Sequence, residues 1–561
     1  MTQFEFLANE LLVNIFEYFD TIQLFKIFSG LNSRINSLLY EHFSNYHVDL
    51  RFISKLDFSI FSYEHLHQIY SRVISFRMGD QCETPHLPFF FISLDYSLQK
   101  FTHLQFLSLH DIQSPIAIHL LQNLSQLNEL LSLTITNCDI SIDEQNEIHF
   151  FNQVWQLPKL NRLHLNTGCL KYATPFQLHC ISSTLKHISI ESSHSIRYSI
   201  FVDILRHSPS LQSISMSIES TNNEYEIFTN DLPMIISLKL TFLGHVRVLK
   251  NLLQHTPNLR RLKIRLINTY LTGYEWKEIV VNYLLHIKIF NFQMFMSYLR
   301  NRNSAILLDE LINTFRTSFW LDEHQWYICI DKYPNDFVIL YTLPNYFPEF
   351  TSMIVLQQKT TCPEFKKNWL FDRVKRLYCS SHNDKHPYEI STFFNKFEDL
   401  NIDLPLSTRT WNSVLTFKHL ISLTIHNSDG KCGSIDLQLI LNHAPRLYAL
   451  TVHESSRLNY KIVLKLTSST IRRLKFFSEY LNRDYLSKED CLALSQSSLA
   501  HQCEVLTLAI EDFHCVYCLV NAMSNLRVLN MKISCKEANL DDQLKYFSRK
   551  YPNLWIYLDD R

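Results

Sequence analysis

Leu104-Gln105-Phe106-Leu107-Ser108-Leu109 sets a pattern that the chain repeats for most of its length. An apolar residue is followed by two variable ones, a second apolar residue, one variable, and a third apolar residue. The pattern returns as Leu130-x-x-Leu133-x-Ile135, Leu160-x-x-Leu163-x-Leu165 and Leu185-x-x-Ile188-x-Ile190, then from Leu211, Ile235, Leu259 and Leu284. A second run starts at Val374, Phe397, Leu420, Leu447, Ile471, Cys503, Leu526 and, weakly, Leu554. Successive starts lie 26, 30, 25, 26, 24, 24 and 25 residues apart in the first run, and 23, 23, 27, 24, 32, 23 and 28 in the second. The alternation at the end of each unit predicts a short strand with one buried face.

Several of these strands follow an amphipathic stretch that ends in proline: residues 201–209, 248–257 and 437–445. Each predicts a helix that stops just before its proline. A strand with a returning helix is one coil of a stack. No single coil can bury its own apolar side, so stacking is obligatory. A period near 25 with this pattern is the leucine-rich-repeat signature. The expected fold class is α/β, with a leucine-rich-repeat solenoid, or horseshoe, over residues 100–290 and 371–561, the latter ending in a C-terminal cap.

Residues 291–370 depart from the pattern. Leu284 and Val374 are 90 residues apart, room for about three degenerate coils. Leu307 to Trp320 reads as helix, and 326–330 and 338–341 read as strands. The segment concentrates Phe315, Phe319, Trp320, Trp326, Tyr327, Tyr333, Phe337, Tyr341, Tyr346 and Phe347. Such a set fits either a bulkier core, the commoner use of aromatics, or a ligand-facing insertion with Trp and Tyr as anchors.

The variable strand positions point away from the core, onto the inner wall of the expected horseshoe. Ser132, Thr134 and Thr136 come first, then Arg162, His164 and Asn166, then His187, Ser189 and Glu191. Ser213, Ser215 and Ser217 make a small flat patch. Arg261, Lys263 and Arg265 put three cations in a row. Arg376 and Tyr378 precede an acidic row at Asp399, Asn401 and Asp403, and Arg473 and Lys475 form a second basic row ending in Phe477. Separated basic and acidic rows suit a protein target of mixed charge.

The first 45 residues predict three short helices. Leu7, Leu11, Ile15 and Phe19 lie four apart, with Leu12 and Phe16 beside them. Asp20 is placed to cap a second helix carrying Leu24, Ile27 and Phe28, with Gln23 as its capping-box partner and a stop near Gly30. Asn32 or Ser33 is placed to cap a third, with Ile35, Leu38, Leu39 and Phe43 inward. Three such helices cannot enclose all of these side chains, so the surplus meets either the following domain, as a cap, or a separate protein.

Leu7-Ala8-Asn9-Glu10-Leu11-Leu12, Ile15-Phe16-Glu17-Tyr18-Phe19-Asp20, Leu24 and Leu31-Asn32-Ser33-Arg34 together resemble the F-box family. Its pattern opens Leu-Pro-x-Glu-Leu/Ile-Leu and continues Ile-Phe/Leu-x-Tyr-Leu, an acidic residue, a Leu and Val-Cys-x-x-Trp. Here Ala8 stands for Pro, Leu31-Asn32 for Val-Cys and Ile35 for Trp. With the repeats behind it, the chain resembles F-box leucine-rich-repeat proteins nearly end to end. The resemblance implies a three-helix F-box over 1–45 that packs on the small adaptor Skp and through it a cullin. Leu7, Leu11, Ile15, Phe16, Phe19 and Leu24 would supply those contacts. Residues 46–99 are expected to be a linker and N-terminal cap.

Composition narrows the alternatives. The 561 residues are 46% apolar and 19% charged, with 53 Lys plus Arg against 54 Asp plus Glu. That balance offers no general electrostatic case for nucleic acid or an anionic membrane, although the Arg261 row could bind a phosphate locally. Only 7 glycines argue against Gly-rich phosphate loops. No apolar run approaches the roughly 18 residues of a membrane span, and the acidic N-terminal stretch predicts no secretory signal. The 13 scattered cysteines suit reduced thiols and a cytoplasmic or nuclear setting. Cys515-Val516-Tyr517-Cys518, with His514, Cys503 and Cys535 near, reads as buried thiols on a repeat helix and its flanking strands rather than as zinc ligands. No Walker, dinucleotide, His-Glu-x-x-His or nucleophile-elbow motif is found. The expectation is a non-catalytic subunit without cofactor or metal: the substrate receptor of an SCF-type ubiquitin ligase, or an interaction scaffold whose F-box-like helices only cap the solenoid.

Overall fold

The repeat spacing becomes a hydrogen-bond register. In the computed structural model, strands Phe106–His110, Ser132–Thr136, Arg162–Thr167, His187–Ser192, Ser213–Glu219, Ser237–Leu243 and Arg261–Ile267 lie parallel and in chain order. Leu107 pairs with Leu133, and the row continues through Leu163, Ile188, Ile214, Leu238 and Leu262. Each of these side chains is at most 2% exposed. The repeat length varies, but the strand register does not, because the connecting segments absorb the extra residues. The structure describes residues 6–79, 98–112, 114–121, 124–138, 144–167, 178–192, 195–220, 231–296, 304–333, 337–352, 357–363, 371–379, 396–404, 417–427, 434–454, 460–478, 485–534, 543, 546–547 and 549–558.

Two units divide the chain: Met1–Thr269 with Glu278–Phe290, and Tyr270–Lys277 with Asn291–Arg561. Both are mixed α/β with largely parallel strands. In the first, the sheet begins earlier than residue 100. Tyr46–Asp49 pairs parallel with Val73–Gly79, which pairs parallel with Phe106–His110. The segment expected as a linker and N-terminal cap supplies two strands. Its second strand carries the same signal, Val73-x-x-Phe76-x-Met78, with Phe76 opposite Leu107 and Met78 opposite Leu109.

The predicted helix stops fall slightly early. Helices Tyr198–Arg206 and Val246–Gln254 of the first unit end before His-Ser-Pro and His-Thr-Pro. His207 Nδ1 donates to the Asp203 carbonyl at 2.8 Å, and His255 Nδ1 to the Asn251 carbonyl at 2.9 Å. In the second unit His443, the last residue of helix Ser434–His443, donates in the same way to Leu439 at 2.8 Å. A carbonyl only accepts, so the proton sits on Nδ1. Each imidazole adds a side-chain donor to a carbonyl of the last helical turn, and at His207 and His255 the main-chain N–H reaches the same oxygen at 3.0 and 3.3 Å.

In the second unit, strands Glu349–Ser352, Arg376–Cys379, Asp399–Leu404, Ser422–Asn427, Ala449–Glu454, Arg473–Ser478, Val505–Ile510, Val528–Ile533 and Trp555–Leu558 form a parallel sheet in chain order. Its ladder runs Leu377, Leu400, Leu423, Leu450, Leu474, Leu506 and Leu529. Within residues 291–370, Glu349–Ser352 joins this parallel sheet, while the other described strands pair antiparallel. Ile289–Met296 pairs antiparallel with Val338–Leu343, which pairs antiparallel with Tyr327–Lys332, and that strand pairs antiparallel with Gln357–Thr360. The short span between Lys332 and Val338 has no room for the crossover that a parallel neighbour needs. Phe315, Phe319, Trp320, Tyr333, Tyr341 and Phe347 are buried, so the bulkier core is their main use.

That core contains a carboxylate. Asp331 receives Gln358 Nε2 at 2.6 Å, Tyr341 Oη at 2.9 Å, Tyr333 Oη at 3.5 Å and the Cys329 thiol at 3.6 Å. Burial lifts its pKa above the ordinary carboxylate range, and the four donors hold it back. Cys503 and Cys515 are buried thiols, and Cys535 lies outside the described residues. Among the described residues no three His, Cys, Asp or Glu side chains gather as a metal site, and no helix is long and apolar enough to cross a membrane.

Candidate docking surfaces

The N-terminal residues fold as expected from their caps. Asp20 accepts the Gln23 amide at 2.9 Å ahead of helix Thr21–Phe28, and Asn32 accepts the Ile35 amide at 2.9 Å ahead of Ser33–Ser37. Gly30, at φ +78°, ends the second helix where an L side chain would be strained. Arg34 ties the third helix to the first, donating to the Leu7 carbonyl at 2.6 Å and to Asn9 Oδ1 at 2.8 Å.

Two of the six expected adaptor contacts are not on the surface. Phe16 is 0% exposed and Leu24 is 1% exposed. Phe16 packs on Phe28 and Phe43, with ring centroids 5.1 and 6.1 Å away, so it holds the helices together. Leu7, Ile15 and Phe19 are half-buried, and Leu11 is 51% exposed. The exposed apolar set also includes Phe6, Tyr18 at 89%, Ile27 and Leu31. Leu11 and Ile27 lie within the first and second helices, while Tyr18 and Leu31 follow the ends of those helices, where helical spacing gives no signal. A further exposed series, Phe52, Leu56, Ile60 and Tyr63, follows helical spacing around Lys55–Ile60. Lys26 pairs with Asp57 at 3.0 Å and joins this segment to the second helix.

The same helices are anchored inward. Phe25 stacks on His65 at 4.7 Å and on Tyr46 at 5.6 Å, while Tyr40 Oη lies 2.7 Å from His65 Nδ1. Burial holds the His65 pKa below the usual imidazole value, with Glu64 opposing. Thr21 Oγ1 donates to the His47 carbonyl at 2.7 Å.

On the strand walls, the alternation places the named polar residues outward of the buried ladder. In the first unit Arg261 is exposed, and Lys263 and Arg265 are half-exposed. Lys239 stands in register with Lys263 and reaches Glu191 at 3.4 Å. At the start of this sheet Arg51 and Arg77 flank Asp49 at 2.7 and 3.7 Å. Burial raises the Asp49 carboxyl, but the Arg51 hydrogen bonds outweigh it and hold its pKa below the ordinary range.

The separated rows expected in the second unit are in fact interleaved. Arg376 lies between Glu349 and Asp399, at 3.0 and 3.5 Å, so Asp399 is held by a cation of the neighbouring strand. Burial still lifts the Asp399 pKa in spite of that cation. Asp403 opens a row that continues in register to His426, His453 and Phe477. The two imidazoles stack at 4.0 Å, a pair that the sequence reading missed although both occupy the fifth position of their strands. Arg473 and Lys475 are half-exposed on the next strand, and the Phe477 side chain lies outside the described residues.

No family model and no curated protein matches the chain. Among solved structures it is similar to a chain of the crystal structure of the Rad7 and Elc1 complex in yeast, at 13% identity over 98% of this chain and 92% of that one, with a TM-score of 0.23. A likeness at that score says nothing about function.

Proposed function

We propose that this chain is the substrate-recognition subunit of an SCF-type ubiquitin ligase, with an F-box at residues 1–45 docking on Skp and leucine-rich repeats holding a target protein. One observation carries the adaptor half of the reading. The N-terminal helices have a filled core of Phe16, Leu24, Phe25 and Phe28, yet still expose Leu11, Tyr18, Ile27 and Leu31. Large apolar side chains left outside a completed core mark a protein-binding face. The F-box resemblance of the same stretch supports Skp as its occupant, and stacked parallel strands with polar outward positions support target binding. The activity would reside in other subunits, and this chain would raise the target's effective concentration beside them.

A second reading has its own support. Phe25, Thr21 and Lys26 seat the helices on residues 46–65, as a cap would. Affinity capture separates the two. The tagged full chain should retain Skp and a cullin, and Leu11→Asp with Ile27→Asp should abolish capture without changing the circular dichroism spectrum. If neither protein co-purifies with the unmodified chain, the receptor reading fails and the cap reading stands.

A further inference from the structure

Cys491 and Cys515 hold matching places in two neighbouring stretches of the second unit. Leu486 and Ile510 form an isolated parallel bridge, with the Leu486 N–H donating to the Ala509 carbonyl at 2.9 Å and the Glu511 N–H to the Leu486 carbonyl at 3.0 Å. Beyond the bridge each stretch turns into a helix, Lys488–Ser495 and His514–Ala522, and the two helices pack against each other. A cysteine stands five residues beyond each bridge partner. Both are 0% exposed and belong to one hydrophobic core. Packed helix axes lie about 8–10 Å apart, with Cα atoms about 2.3 Å from each axis, so facing residues fall within the reach of a disulfide. The two thiols are hydrogen-bonded to each other. Cys503, between them in sequence, instead donates to the Val505 carbonyl at 3.2 Å.

Two further features suit this pair to oxidation. The Cys491 hydrogen bond holds the Cys515 thiol below its usual pKa, against burial and the Asp512 carboxylate, while the same bond, with burial, pushes Cys491 up. One sulfur is therefore the readier thiolate, and the other donates a proton to it. Cys518 lies one helical turn beyond Cys515 and is only half-buried, so the cluster reaches solvent there. We infer that Cys491 and Cys515 are a redox modification site, in which a hydroperoxide entering at Cys518 converts the two thiols to a disulfide that cross-links the helices. The Cys518 thiolate attacks the peroxide, the O–O bond breaks, and a sulfenic acid and an alcohol are left. Cys515 attacks that sulfur and expels water, giving a Cys515–Cys518 disulfide. Cys491 then attacks the Cys515 sulfur and releases Cys518 as a thiol. In all, two thiols lose two electrons and two protons, and one hydroperoxide becomes an alcohol and water. The site goes beyond the receptor reading and does not depend on it.

Disulfide mapping of the full chain tests this. The reduced protein is treated with hydrogen peroxide under native conditions, denatured with an alkylating agent present, and cleaved after glutamates for mass spectrometry. Glu504 and Glu511 separate Cys491 from Cys515 in the digest. A Cys491–Cys515 cross-link should accumulate in most molecules and disappear on addition of dithiothreitol, while Cys503 stays alkylated. Cys518→Ser should slow the cross-link about tenfold or more. Cys491→Ser should halt the sequence at a Cys515–Cys518 disulfide. The unsubstituted protein decides the matter even where a variant does not fold. Cys491 and Cys515 recovered as alkylated thiols while other cysteines oxidise would overturn the inference. So would a cross-link that forms only in urea, one that joins Cys503 instead, or an unchanged rate in a folded Cys518→Ser protein.

Discussion

The two parallel sheets share one construction and differ in what they do with it. Leu107 through Leu262 in the first unit and Leu377 through Leu529 in the second are ladders of buried aliphatic residues at the same strand position. Outside the ladder they diverge. The second sheet sets Arg376 in register between Glu349 and Asp399, while the first sets Lys239 in register with Lys263 and pairs Lys239 with Glu191. Burial of the ladder sets the fold in both units, which leaves the outward positions free to differ in charge. Titratable groups diverge too. The first unit buries imidazole, His65, whereas the second buries carboxyl, Asp331.

The equivalence of the ladders is most easily broken by truncation. Leu262→Ala and Leu423→Ala, each at a fully buried position, should cost about 2–5 kcal/mol apiece. Urea titration of fluorotryptophan-labelled protein reads the units separately, because Trp155 lies in the first and Trp320 in the second. A loss under about 1 kcal/mol in one unit would show that its ladder is not equivalent to the other.

Acid should move the units in opposite directions. His65 has a folded pKa below 6.5, so its neutral form favours the fold, and that stability is lost as pH falls through the unfolded value and on through the folded one. Asp331 has a folded pKa above 3.8, so the folded state holds the proton more tightly, and stability declines as pH rises from there through the folded value. Between pH of about 7 and about 5 the Trp155 midpoint should fall while the Trp320 midpoint holds or rises. Asp331→Asn should flatten the second response. Parallel slopes in both units would refute the assignment.

Surface charges should give the smallest effects. Arg376→Ala should lower the stability of the second unit by about 0.2–1 kcal/mol, the range of exposed pairs. Lys263→Ala, at a half-exposed strand position, should change the stability of the first unit by no more than about 0.5 kcal/mol. A loss larger than that of Arg376→Ala would show that the first wall depends on its charges more than the second.

Much of this was legible in the residues alone, for a simple reason. The apolar-x-x-apolar-x-apolar spacing is a one-dimensional record of burial, and burial is what sets strand register here. The helix stops, the Asp20 and Asn32 caps and the outward positions of Arg261, Lys263 and Arg265 follow from local chemistry. Three things depended on contacts distant in sequence. Phe16 and Leu24 looked like surface until the other helices closed over them, because a helix with apolar residues on two sides does not declare which side is inward. The antiparallel pairing of Ile289–Met296 with Val338–Leu343 joins strands distant in sequence, where alternation cannot tell a parallel neighbour from an antiparallel one. Which charges meet is settled by strand adjacency: Asp399 and Arg376 are 23 residues apart in sequence but neighbours across the sheet, and Lys263 and Lys239 stand in the same relation.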